Sequence, residues 1–102
     1  MPSNSELLRV AITQKKQVTA YYDNFYREMC PHALGWKYGV YHVLSFQFAG
    51  QGSHPLPPEG QWKCMDVDGL TGVTLVDGPW YSGASHTKPQ TCIDQLEVEV
   101  SY

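Results

Sequence analysis

Between Arg27 and Phe48 the chain reads REMCPHALGWKYGVYHVLSFQF, which places a guanidinium, an imidazole, a phenol and two neutral hydrogen-bonding groups in one short stretch. Arg27, His32, Tyr41, Ser45 and Gln47 are side chains of the kind that line pockets for small polar ligands, where a few convergent polar groups fix orientation. The competing reading is structural, with Arg27 paired to Glu28 or Asp23 at the surface and His32 capping a turn.

Cys30, His32, Cys64, His86 and Cys92 are of the donor types that zinc takes, yet no Cys-x-x-Cys pair occurs and the spacing of structural zinc modules is absent. The residues therefore imply no metal and no cofactor, and the thiols read as buried small hydrophobes. Cysteine-histidine catalysis needs a thiolate, an imidazole in reach and a third orienting group. Cys30 or Cys64 with His42 would have to meet in space. No nucleophile elbow or Gly-rich phosphate cradle accompanies them, so no catalytic residue is assigned.

These side chains sit in a chain of 102 residues, enough for one domain spanning 1–102 with one core. Hydrophobic residues make up 42% and charged residues 17%, which excludes a disordered chain. A formal charge of −3 is unsuited to general nucleic-acid binding, which rests on Lys and Arg displacing counterions from phosphates. The charge is uneven: residues 1–63 hold six of the seven basic groups, leaving room for a modest positive face near Arg9, Lys15, Lys16, Arg27 and Lys37. Three cysteines cannot all pair within one chain and no secretory signal opens it, so a reducing cytoplasm is expected. No apolar run approaches the roughly 20 residues of a membrane-spanning helix.

Ser3 and Glu6 have capping-box spacing, and Leu7, Leu8, Val10 and Ile12 follow, which predicts a helix over about 4–15. Val18, Thr19, Tyr21 and Tyr22 are strand formers, Asp23-Asn24 a turn signal, and Phe25, Tyr26 and Met29 resume the strand. Pro31 places its position at an edge or a bulge. A turn is expected over 35–39, then a strand over 40–48 with Leu44, Phe46 and Phe48 in the core. Tyr41, Ser45 and Gln47 are left on a face open to a ligand. Residues 49–60, AGQGSHPLPPEG, read as an exposed loop. Strands over 61–67 and 73–76 follow, the second stopped by Asp77-Gly78-Pro79. Residues 80–91 are irregular, and 93–102 alternates Leu96, Val98 and Val100 inward as a half-buried last strand. Trp36 is expected exposed, with Trp62 and Trp80 in packing roles. The pattern predicts a mainly β (α+β) fold: a small, bent SH3-like or Sm-like antiparallel sheet or barrel of five to six strands with one N-terminal helix, the barrel spanning about 17–100.

The order of a helix, AYYDNFYREMCPHALG, VYHVLSFQF, WKCMDVDGL and VTLVDGPW resembles the WYL domain, an Sm-like barrel usually found as the sensor half of bacterial transcriptional regulators. More closely it looks like stand-alone WYL-like proteins with an Arg-x-x-x-Pro-His-x-x-Gly segment, here Arg27, Pro31, His32 and Gly35. The resemblance covers roughly residues 6–80. The signature tripeptide falls on Tyr41, His42 and Val43, and Lys63 matches a basic residue entering a later strand. Two arginines of the family fall on Asp66 and Gly69, with Asp68 matching the acid between them; without those guanidiniums the planar donors best suited to phosphate are lost.

The resemblance implies a non-catalytic module that senses a small polar or nucleotide-like ligand, with Lys63 joining the five side chains named first. A second reading is an assembly subunit, a homodimer or small homo-oligomer paired through the same face or the Leu96–Val100 edge. A cryptic hydrolase is the third.

Overall fold

The computed structural model describes residues 3–52, 55–81 and 93–100. Ser3 caps helix α1 (Asn4–Gln14), as its spacing to Glu6 predicts: Ser3 Oγ accepts the Glu6 N–H at 3.2 Å and donates to the Glu6 carboxylate at 3.2 Å. Lys15, in the left-handed region at φ 53°, ends the helix. The spacing of Leu8, Ala11 and Ile12 puts all three on one buried stripe.

Six antiparallel strands follow: β1 (Gln17–Tyr22), β2 (Phe25–Lys37), β3 (Val40–Gly50), β4 (Gln61–Asp66), β5 (Thr71–Val76) and β6 (Gln95–Glu99). A 3-10 turn, Val67–Gly69, joins β4 to β5. The sheet runs in the order β4-β3-β2-β1-β5, and β6 also pairs with β2. One edge of β2 is thus shared: Phe25–Met29 pair with β1, and Ala33–Trp36 pair with β6. Its ladder to β3 shifts register between Glu28 and Met29 and again between Pro31 and Ala33, so the proline sits at a bulge, as its missing donor requires. The result is a bent, mainly β sheet with one N-terminal helix.

Two-residue hairpins close β1–β2 and β2–β3. Asp23 and Asn24 take φ of 53° and 66°, and Tyr38 and Gly39 take 54° and 75°, the positive pair whose twist matches flanking strands. The second turn is shorter than the expected 35–39, because Gly35 is a ladder residue. Its α-carbon faces Ile93 and the Gln95 carbonyl, and a β-carbon there would collide with both. The glycine marks a close approach of β6 rather than a bend.

The main core joins the α1 stripe to Val18, Ala20, Met29, Leu34, Val43, Met65, Val67, Leu70 and Val100. This corrects the face assigned to β3. Val43, Ser45 and Gln47 are buried on the main-core side, whereas Leu44, Phe46 and Phe48 alternate to the other side, where Phe46 is buried as expected and Leu44 and Phe48 are half-buried. There Phe46 packs on Trp62 at 5.4 Å and Phe48 on Tyr81 at 4.7 Å between ring centres. The central strands are covered on both sides, so apolar alternation does not say which side holds the larger core.

Leu96, expected inward, is 52% exposed, while Val98 packs on the core and Val100 is buried. Cys64, expected as a buried free thiol, is exposed and disulfide-bonded, and Cys30 is the buried free one. Unpaired cysteines therefore no longer argue for a reducing compartment. Cys92, His86, Ser101 and Tyr102 lie outside the described residues. No helix among the described residues is long and apolar enough to cross a membrane.

Gly50 has φ 98°, and a β-carbon on it would lie 2.8 Å from Arg27 Cα and close against the Tyr26 carbonyl, whereas one on Gly39 would meet nothing within 4 Å. We expect Gly39→Ala to cost about 1 kcal/mol from its backbone conformation alone, and Gly50→Ala to cost more than about 2 kcal/mol because rigid backbone must also move. Urea unfolding of both variants checks the order.

Candidate functional site

The polar side chains of the Arg27–Phe48 stretch fall in separate places. Arg27 and Gln47 meet: Arg27 Nη1 donates to Gln47 Oε1 at 3.2 Å, and Nη2 reaches the Tyr22 carbonyl at 3.4 Å. The guanidinium, only 5% exposed, lies over the Tyr22 and Phe25 rings at 5.4 and 6.0 Å. Arg27 Nε has no hydrogen-bond partner among the described residues. Gln47 in turn donates to the carbonyls of Ala49 and Gln51, at 3.1 and 2.9 Å, and so fixes the chain where it leaves β3. These two residues act on the start of the loop.

Ser45 is fully buried with its Oγ unpaired among the described residues, and half-buried Lys63 stands opposite it in register on β4. His32 belongs to an aromatic cluster on the far side of the sheet. Its ring meets Trp62 edge-on at 4.6 Å and Trp80 at 4.8 Å, and Nε2 lies 3.3 Å from the Tyr81 carbonyl. Trp62 and Trp80 thus take the packing roles expected of them.

Tyr41 alone of the set opens onto a groove of about 600 Å³, walled by the start of α1, the β2–β3 hairpin, the 3-10 turn and β6. Trp36 and Tyr41 face each other across the hairpin ladder with ring centres 4.6 Å apart, and Trp36 stays 39% exposed. Glu97 of β6 holds both: Oε2 accepts the Trp36 Nε1–H at 3.0 Å, and Oε1 accepts the Tyr41 hydroxyl at 3.3 Å. Arg9 of α1 completes the network, its Nη2 donating at 3.4 Å to the Tyr41 oxygen and at 3.4 Å to Glu97 Oε1. Asp66 and Asp68 also line the groove. Asp66 Oδ1 accepts the Asp68 N–H at 3.0 Å and so caps the 3-10 turn.

Trp36 is exposed as its turn position predicts, and Tyr41 opens onto the groove; the sequence gives no sign that Arg9, Glu97, Asp66 and Asp68 line it with them. Arg9 and Glu97 lie 88 positions apart and meet only because β6 pairs with β2. Of residues 49–60, expected as a loop beside the site, Ala49 and Gly50 extend β3, and the chain leaves that strand at the end away from Tyr41.

Burial of the Tyr41 hydroxyl, then the Glu97 carboxylate, push its pKa up, and Arg9 partly offsets them, so the phenol keeps its proton and works as a donor. Burial pushes the Cys30 thiol up to about 11, slightly relieved by the Tyr81 N–H that bonds its Sγ at 3.3 Å. Such a thiol carries almost no thiolate at neutral pH and is a poor nucleophile. Among the described residues no three His, Cys, Asp or Glu side chains gather as metal ligands.

No known family model matches the chain, and no curated protein or solved structure matches it.

Arg27→Met and Gln47→Leu should each destabilise the protein by about 2 kcal/mol or more, since each strands a buried polar partner. The double variant should cost less than the sum, with a coupling of about 1–3 kcal/mol in a double-mutant cycle; additivity would contradict the contact. For Cys30, a folded pKa raised from 9.0 to about 11 means that its stabilising contribution is complete below pH 9 and is lost as pH rises toward 11. Wild type should therefore lose more stability than Cys30→Ala across that window in pH-resolved unfolding.

Proposed function

We propose that the protein is a non-catalytic binding module that takes a small polar ligand in the groove beside Trp36 and Tyr41. The observation that carries this reading is the Glu97 clamp: one carboxylate holds an exposed indole and a phenol side by side in fixed orientations. Preorganised aromatic faces bind with little ordering cost, and the groove volume suits a small molecule. The bent antiparallel sheet after one helix agrees with the resemblance to WYL-like sensor domains. In that resemblance a ligand-class arginine of the family is replaced by Asp66, which here lines the groove. Three carboxylates in the lining disfavour a phosphate, so the nucleotide-like part of the expectation is the weaker part.

Two features speak against hydrolysis: Cys30 is sealed and protonated, and Cys64 is engaged in a disulfide. The assembly reading rests on exposed apolar side chains: Tyr38 at 88%, Leu96 at 52% and Val40 all lie on or beside the β2–β3 hairpin, through which a second copy would pair.

A thermal-shift screen of metabolites against wild type and Trp36→Ala tests the leading reading. A groove ligand at a hundred times its Kd adds about 2.7 kcal/mol to native stability, a shift of several degrees in Tm, and Trp36→Ala should abolish it. If no compound moves wild type while dilution lowers its Tm, the assembly reading replaces it.

A further inference from the structure

We propose that the groove seats the guanidinium or ammonium end of a small cationic molecule in the position now held by the Arg9 side chain, so that Arg9 acts as an internal competitor. The inference rests on the groove being the binding site and specifies what it binds. Three carboxylates, Asp66, Asp68 and Glu97, line it against the single guanidinium of Arg9. Among the described residues neither aspartate has an ion-pair partner, so this part of the lining carries uncompensated negative charge. A carboxylate beside aromatic faces is a setting that attracts organic cations, through charge and through the ring quadrupole.

Arg9 occupies that setting poorly. It reaches both partners through one nitrogen, at 3.4 Å each, in place of the paired short bonds that a guanidinium makes with a carboxylate at its best. Its side chain is 48% exposed, so the tether is well solvated and weak. Glu97 keeps its orientation without Arg9, because Trp36 and Tyr41 both donate to it. An incoming guanidinium can therefore take over the Arg9 contacts without dismantling the clamp. It can also approach Asp68, which is exposed and whose carboxylate makes no hydrogen bond among the described residues.

The test is isothermal titration of agmatine into wild type, Arg9→Ala, Arg9→Gln and Asp68→Asn, with the tripeptide N-acetyl-Gly-Arg-Gly-amide as a second arm and the folding of each variant checked by its Tm. Both Arg9 variants should bind agmatine several-fold tighter than wild type, Asp68→Asn several-fold weaker, and added salt should weaken every case. A scaffolding role for Arg9 would give the opposite sign. Binding of agmatine alone assigns a free small molecule, and binding of the tripeptide as well assigns an arginine side chain of a peptide; either upholds the proposal. Agmatine binding that the Arg9 variants leave unchanged or weaken overturns it. If agmatine binds none of the four while a screened compound still depends on Trp36, the cationic ligand is wrong and the binding module stands. If no compound binds either, both fall.

Discussion

The length and bend of β2 govern the rest of the molecule. A thirteen-residue strand lies at the centre of the sheet, pairs with β3 along one edge and divides its other edge between β1 and β6. It can do so because the ladder slips at Pro31, where a proline has no donor to contribute. Both of its sides are covered, by the helix-backed core on one and by Trp62, Trp80 and Phe46 around His32 on the other.

The groove follows from that arrangement through a single glycine. Gly35 lets β6 come close to β2, which no residue with a β-carbon would allow without displacing Ile93 or the Gln95 backbone. Two residues beyond Gln95, Glu97 then meets Trp36 and Tyr41, which the short Tyr38-Gly39 hairpin has set side by side. Helix α1 adds Arg9 from above the core that Leu8, Ala11 and Ile12 anchor. Backbone packing thus positions the charged and aromatic groups, and each is held by hydrogen bonds whose partners come from a different element.

Local chemistry was legible in the sequence, and long-range pairing was not. The Ser3 cap, the Asp23-Asn24 hairpin and the Pro31 bulge were readable because each depends on residues within a few positions. The orientation of β3 was not, since a strand covered on both sides loses the contrast between apolar and polar faces. Gly35 looked like a turn residue because glycine serves turns and close approaches alike. Trp36 and Tyr41 could be singled out by type, but nothing near Arg9 or Glu97 indicates that they meet. Gln47 and Arg27 read as ligand-facing polar groups, and their burial could not be foreseen without knowing which side of β3 faces the helix.

Native-state hydrogen exchange on β6 reads directly whether this strand is docked on β2 and holds the groove together. The Asp94 and Val100 amides donate to the Trp36 and His32 carbonyls at 2.9 and 2.8 Å. Protection at Val98 and Val100 should approach that of Val18 and Met29 in the central ladder, because all belong to one packed sheet. Rapid exchange along residues 95–100, with β1 to β3 still protected, would show that β6 is not a fixed part of the sheet and that Glu97 does not clamp the groove.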